Sequence, residues 1–148
     1  MRAVVQRVSR ADVHVGDELV GAIGVGLLVL LGVGRGDDLD QAHVVADKIA
    51  ALRIFPDGAG RMHQSVRDVG GGVLVVSQFT LYGDVRRGNR PSFTTAAAPE
   101  DAEPLVEVVV RRLRDVGLDV AEGRFGATMA VTSTNDGPIT IVLDTAVG

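Results

Sequence analysis

The chain has 148 residues, the size of one domain spanning 1–148, and 46% of them are hydrophobic, enough for a core without covalent staples. It contains no cysteine, which excludes disulfides, thiolate catalysis and cysteine-based zinc or iron–sulfur centres. A formal net charge of −4 argues against a protein that coats nucleic acid non-specifically.

The first residues lack signal-peptide anatomy, because Arg2, Arg7 and Arg10 interrupt any apolar run. The longest apolar stretch, Val25 to Leu31, is far shorter than a membrane span. The expectation is a cytoplasmic protein that does not enter a membrane. Ala3 to Val8 and Ala11 to Val15 read as strands separated by Ser9-Arg10, and Leu19 to Ile23 as another short strand. Gly24 and Gly26 turn the chain into Leu27 to Leu31, whose unbroken apolar character fits a strand buried on both faces. Gly32, Gly34 and Gly36 follow, without the spacing of a phosphate-binding loop. Asp37 or Asp38 caps a helix running to about Arg53, with Ala42, Val45, Ala46, Ile49 and Leu52 as its buried stripe. Phe55-Pro56-Asp57-Gly58 ends that segment, and Val73 to Gln78 is the next apolar strand.

A second helix runs from about Ala102 to Val116, with Leu105, Val109, Leu113 and Val116 inward and Gly117 placed to end it. Proline is tolerated only in the first turn, so Pro104 puts the start near Asp101 and not at Ala98. Met129 to Ser133 and Ile139 to Leu143 read as two late strands. Many strands and two helices predict a mixed α+β fold. Largely antiparallel or mixed sheets form a barrel-like layer, and the two principal helices pack outside it.

His14, His43 and His63 are scattered and show no metal-ligand spacing, so no metal is expected. There is no Gly-x-Ser-x-Gly elbow and no evident general base. An enzyme built on this chain would act through backbone groups, hydroxyls or the substrate's own groups. Two segments carry such groups. In Asn135-Asp136-Gly137-Pro138-Ile139-Thr140 the Gly-Pro step removes a side chain and then an N–H, leaving a nearly bare backbone with two carbonyls. X-Pro is also the step at which a cis peptide lies within about 0.5–1 kcal/mol of trans. A cis Gly137-Pro138 would aim both carbonyl oxygens the same way, as an acceptor pair for a ligand's amino group. The same residues are also ordinary turn signals. In Ser77-Gln78-Phe79-Thr80-Leu81, just past an apolar strand, there are two hydroxyls, an amide and backbone N–H groups able to form an oxyanion hole. The alternative is a plain strand end with Phe79 in the core. Arg86-Arg87-Gly88-Asn89-Arg90, the densest basic cluster, reads either as solvated surface or as a local RNA contact.

Together these two segments resemble the signature motifs of the D-aminoacyl-tRNA deacylase family. The likeness extends through Gln6-Arg7-Val8, Gly26 to Val33, Arg53-Ile54-Phe55, Arg87 to Phe93, and Gly123-Arg124-Phe125 with Met129. Tyr82-Gly83-Asp84 and Pro104 are minor departures. The resemblance implies a deacylase-type fold and a homodimer that hydrolyses the ester between a D-amino acid and the tRNA 3′ end. Ser77, Gln78, Phe79 and Thr80 would line the site that receives the ester and the terminal adenosine. Gly137 and Pro138 would be a chiral gate that reaches the partner's pocket and rejects an L-isomer through its Cβ. Glycine, without a Cβ, would pass. Phe125 and Met129 resemble pocket walls or plain core, and Arg7 a brace for the Gly-Pro loop or an ordinary strand-surface residue. Thr80 lacks an activating base, so assistance by the tRNA 2′-OH is favoured, with no cofactor. The rival readings are a nucleic-acid-binding dimer without hydrolase activity and a small-molecule-binding or structural dimer.

Overall fold

The computed structural model describes residues 1–147. In chain order the elements are β1 (Arg2–Val15), β2 (Glu18–Ile23), β3 (Gly26–Gly32), α1 (Leu39–Ala51), β4 (Phe55–Pro56), β5 (Met62–Gln64), β6 (Gly72–Ser77), a 3-10 turn (Phe79–Tyr82), α2 (Pro99–Asp115), β7 (Asp119–Glu122) and β8 (Ala130–Asp144). β4 and β5 form a small separate hairpin. The other strands make one mixed sheet in the order β2-β1-β3-β6-β7, with β8 along the edge of β1 opposite β2 and β3. β1 is antiparallel to all three neighbours, whereas β3, β6 and β7 run parallel. Each parallel step is bridged by a helix, as parallel pairing requires a long crossover. β2 curls round towards β7, and a Cβ on Gly21 would stand 2.5 Å from the Glu122 carbonyl oxygen. That near closure makes the layer barrel-like, with both helices outside.

β3 and β6 are buried on both faces, and their period-two alternation divides the core. Leu27, Val29, Leu31, Val73 and Val75 pack with Val45 and Ile49 of α1 and Val109 and Leu113 of α2. Leu28, Leu74 and Val76 point the other way, into the barrel, against Val8, Ala11 and Val13. Truncating one of these leucines, or Ile49, to alanine costs about 2–5 kcal/mol.

Asp38 is the residue that caps α1. It accepts from the Asp40 amide at 2.9 Å, and the Gln41 side chain accepts from its own amide at 2.8 Å. Asp37 instead accepts from the Gly34 amide at 2.6 Å. The helix ends at Ala51, short of Arg53, with Leu52 only partly buried. α2 departs further from expectation, beginning at Pro99. Proline at the first helical position loses only an N–H that has no intrahelical partner there. The Ala98 carbonyl accepts from the Asp101 and Ala102 amides at 3.0 and 2.9 Å. Pro104 lies inside the helix on its exposed side and forfeits one ladder bond. The buried face is Ala102, Val106, Val109, Val110 and Leu113, with Leu105 and Val116 at its border.

Ser9-Arg10 does not break β1. Both side chains are exposed, and Arg10 pairs with Thr134 through a register shift. The two expected late strands are one strand, β8. Its pairing with β1 opens around the Gly-Pro step: β1 passes from Gln6 to Val8 where β8 passes from Asn135 to Thr140. The extra residues bulge outward. Pro138 is compatible with this because β8 is an edge strand. No helix among the described residues is long and apolar enough to cross a membrane.

Candidate active site

β6 delivers Ser77 and Gln78 to the end of the sheet, and the chain then tightens into the 3-10 turn. The Gln78 amide bonds the Leu31 carbonyl at 2.8 Å, which anchors the turn to β3. The Leu81 and Gly83 amides bond the carbonyls of Gln78 and Thr80 at 3.2 and 2.9 Å. The amides of Phe79 and Thr80 have no acceptor among the described residues, as expected for the first N–H groups of a helical turn. The Gln78 side-chain amide donates to the Thr80 hydroxyl. From behind, Arg2 holds the turn. Its Nη1 donates to the Leu81 carbonyl at 3.0 Å, its Nε to Asp144 at 3.1 Å, and its guanidinium lies 4.5 Å from the Tyr82 ring centre. Burial, with Asp37 nearby, pushes the Tyr82 phenol up to about 12.

A cleft of about 530 Å³ opens beside this turn. Its walls include Ser77, Gln78 and Phe79, then Phe93 with Ala96 and Ala97, the start of α2, and Phe125 to Ala127 with Met129. Phe79 is not in the core, contrary to that alternative. It is 58% exposed and stacks edge-on against Phe93, itself 37% exposed, at 5.1 Å between ring centres. Met129 is held by the Arg124 amide, 3.3 Å from its Sδ, and packs against Gly123, where a Cβ would stand 2.6 Å from that sulfur. No residue lining the cleft carries a carboxylate, imidazole or amine. Among the described residues no three His, Asp or Glu side chains gather as a metal-binding group. His14 pairs with Asp12 at 3.3 Å and His63 with Arg53 at 3.0 Å, and neither lines the cleft.

The structure thus brings Ser77, Gln78, Phe79, Phe125 and Met129 to one cleft, with Thr80 exposed at its rim. Gly137 and Pro138 are elsewhere. They are exposed and do not line their own chain's cleft. The peptide between them is cis. Gly137 has φ 132°, and a Cβ there would meet Ile139 Cγ1 at 2.7 Å and Arg7 Nη2 at 3.2 Å. Asn135 pins the bulge, its Oδ1 accepting from the Ile139 amide and its Nδ2 donating to Thr140 Oγ1, both at 3.1 Å. Arg7 is 12% exposed and donates to the Asp136 carbonyl at 3.1 Å and the Ile54 carbonyl at 2.8 Å. Its guanidinium also stands 3.6 Å from the Asp136 carboxylate. Cleft residues that sequence reasoning passed over are Ala96, Ala97 and Ala102, whose small side chains leave the space. The run Ala96-Ala97-Ala98 ahead of Pro99 was their signal.

A family model described as D-Tyr-tRNA(Tyr) deacylase matches residues 4–144. The D-aminoacyl-tRNA deacylase of Roseiflexus sp. (strain RS-1) is 61% identical over 147 residues, 99% of this chain and 95% of that protein. The D-aminoacyl-tRNA deacylase of Anaeromyxobacter dehalogenans (strain 2CP-C) is 60% identical over 144 residues, 97% of each. Among solved structures, a c-Myc DNA Unwinding Element Binding Protein superposes with TM-score 0.91 at 43% identity, covering 97% of this chain and 98% of that one. A probable eukaryotic D-amino acid tRNA deacylase shares the fold, with TM-score 0.82 at 18% identity, covering 96% of this chain and 97% of its own. The family match encloses both Ser77–Leu81 and Asn135–Thr140, and the chain belongs to the D-Tyr-tRNA(Tyr) deacylase family.

Proposed function

We propose that this chain, as a single domain over residues 1–148, hydrolyses the ester of D-aminoacyl-tRNA to free amino acid and tRNA. The observation that carries the reading is the pair of unpartnered amides, Phe79 and Thr80, at the mouth of an uncharged cleft in a member of this family. The ester carbonyl oxygen accepts from these amides, which are already in place for the negative charge that develops as water adds to the carbonyl carbon. The bond to the ribose oxygen then breaks, and that oxygen takes up the proton. With no basic side chain lining the cleft, the neighbouring 2′-OH of the terminal ribose activates the water or polarises the ester. No metal or organic cofactor enters this reading. The 2′-OH is also what separates RNA from DNA chemically.

The gate is shared between subunits of a homodimer. Gly137 and Pro138 of one protomer face the cleft of the other, and their carbonyls hold the substrate's α-amino group. An L-isomer would drive its Cβ into this backbone, whereas a D-isomer turns its side chain away and glycine has no Cβ to reject. Two features support the arrangement. The Gly-Pro bulge stands exposed, outside its own chain's cleft, and β8 presents a free edge with exposed Val131 and Val142. The bound partner is a tRNA 3′ end carrying a D-amino acid or glycine, in the cytoplasm.

The name of the 43% identical neighbour favours one second reading, nucleic-acid binding without hydrolysis. Release of free amino acid from charged tRNA separates the two. Under the deacylase reading D-tyrosyl-tRNA and glycyl-tRNA are cleaved, and the same D-tyrosyl-tRNA ending in 2′-deoxyadenosine is not. Binding of all substrates with release from none would establish the second reading instead.

A further inference from the structure

We propose that the loop between Asp84 and Ser92 is a phosphate-binding arm, whose Arg87 and Arg90 hold the RNA backbone just 5′ of the nucleotide seated at the Phe79–Phe93 mouth. This rests on the deacylase reading for the identity of the RNA. The loop springs directly from the site. It begins two residues after Tyr82 closes the 3-10 turn, and it returns at Ser92, next to Phe93. Its base is clamped by two backbone bonds, Asp84 amide to Ser92 carbonyl at 2.8 Å and Ser92 amide to Asp84 carbonyl at 2.9 Å. Asp84 also accepts from the Arg86 amide at 2.9 Å and from the Arg86 guanidinium at 2.7 Å, so that carboxylate is fully engaged and Arg86 neutralised.

Arg87 and Arg90 remain. Both are exposed, and neither forms an ion pair among the described residues. Two uncompensated guanidinium groups on one short loop stand out in a chain of net charge −4. Arg90 stands three residues from Phe93, a reach of at most about 10 Å, and Arg87 stands three residues from Asp84, which pairs with Ser92, so both cations lie within a few nucleotides of the aromatic mouth. Half-exposed aromatic rings beside free cations are the combination that binds single-stranded nucleic acid, by stacking a base and pairing the phosphates. The groove that shares Val33 and Ala97 with the cleft repels a polyanion. Asp38, Glu100 and Asp101 line it with Arg35 as the one basic side chain, and Asp37 is paired with the Met1 ammonium at 2.8 Å. An RNA end therefore enters over the Arg87–Arg90 loop and not across the start of α2.

The test uses the full-length protein and an uncharged RNA hairpin that ends in a single-stranded CCA tail, with binding followed by fluorescence anisotropy over a range of salt. Replacing both Arg87→Ala and Arg90→Ala should raise Kd roughly tenfold. It should also flatten the slope of log K against log salt by about 1.4, at about 0.7 per single-strand phosphate released. Arg87→Lys with Arg90→Lys keeps the charges and should restore most of the binding. Arg111→Ala removes an exposed charge three turns along α2 and should leave it unchanged. On D-aminoacyl-tRNA the double alanine variant should raise KM with kcat held, and it should cleave a D-aminoacyl ester of adenosine alone as the parent does. Unchanged Kd and salt slope in the double variant, an equal loss in Arg111→Ala, or binding confined to the DNA version of the hairpin would each overturn the proposal. The hairpin carries no ester, so its binding is read independently of hydrolysis. Absent hydrolysis counts against the deacylase reading, and unchanged hairpin binding against the arm.

Discussion

Removing the Arg7 guanidinium should loosen the Gly-Pro bulge and lower both stability and turnover. Arg7 bridges two parts of the chain distant in sequence, the Ile54 carbonyl at 2.8 Å and the Asp136 carbonyl at 3.1 Å. A hydrogen bond from a charged donor contributes about 1.5–3 kcal/mol. The bond to Ile54 is partly buried and takes that range, while the bond to exposed Asp136 is discounted for solvent. Arg7→Ala should therefore destabilise by about 2–4 kcal/mol, which lowers Tm by about 6–12 °C in a domain of this size. The protein still folds, because domain stabilities run to about 5–15 kcal/mol. Assayed well below its Tm, the variant should lose roughly tenfold in kcat/KM on D-tyrosyl-tRNA, about 1.4 kcal/mol of transition-state stabilisation. Arg7→Lys keeps the charge, but a point charge cannot span both carbonyls as a planar fork does, so it should recover less than half of either loss. Thermal melts and steady-state kinetics on the three proteins decide the matter. An Arg7→Ala protein with unchanged Tm, or one destabilised as expected but fully active, would refute the bracing role.

Three further outcomes are expected. The Arg86 side chain and then its amide hold the Asp84 carboxyl down at about 2, so the link between them persists above the unfolded-state value of about 3.9 and is lost only as pH falls through about 2. Carboxyl-carbon NMR of Asp84 should show that midpoint, and Arg86→Ala, which removes the side chain but keeps the amide, should raise it only part of the way to the ordinary aspartate range; an ordinary midpoint in the parent protein contradicts the link. Gly123→Ala places a Cβ 2.6 Å from Met129 Sδ; the flexible thioether moves aside with a stability change under about 1 kcal/mol, but it moves within the cleft, so kcat/KM should fall while Tm holds, and unchanged kinetics would remove Met129 from the site. Thr80→Ala retains the backbone amide and loses only the hydroxyl that the Gln78 side chain engages, so single-turnover rates should stay within roughly tenfold of the parent; an acyl ester trapped on Thr80 would establish covalent catalysis instead.

The parts of the fold legible in the sequence are those fixed by local pattern. Leu27 to Leu31 and Val73 to Val76 are continuous apolar runs, and such runs are buried on both faces wherever they pair. Asp37-Asp38 ahead of an apolar stripe marks the start of α1, and the structure's capping box with Gln41 decides for Asp38. Ser9-Arg10 and the Gly-Pro step misled because β1 and β8 are set by each other, across nearly the whole length of the chain. Pairing of that range overrides weak local strand preference. Pro104 misled for a related reason. A single lost ladder bond on the solvent side is outweighed by an apolar face extending back to Ala102. The cleft shows the same division. Ser77 and Gln78 were legible as polar residues at a strand end. Phe79 was placed at the site only by the family resemblance, since the bare pattern also allowed it in the core and its partner Phe93 lies in a loop without periodicity. The position of Gly137 and Pro138 outside their own chain's cleft is a matter of tertiary geometry that no hexapeptide encodes.

The most direct measurement of the central claim is a paired time course of D-tyrosyl-tRNA and L-tyrosyl-tRNA, matched in every other respect, with free amino acid read at equal enzyme. Recognition through backbone carbonyls and a Cβ clash predicts rapid release of the D-amino acid and no release of the L-isomer above the spontaneous rate. Equal turnover of the two would contradict it, and so would strong dependence on the side chain within a series of D-amino acids.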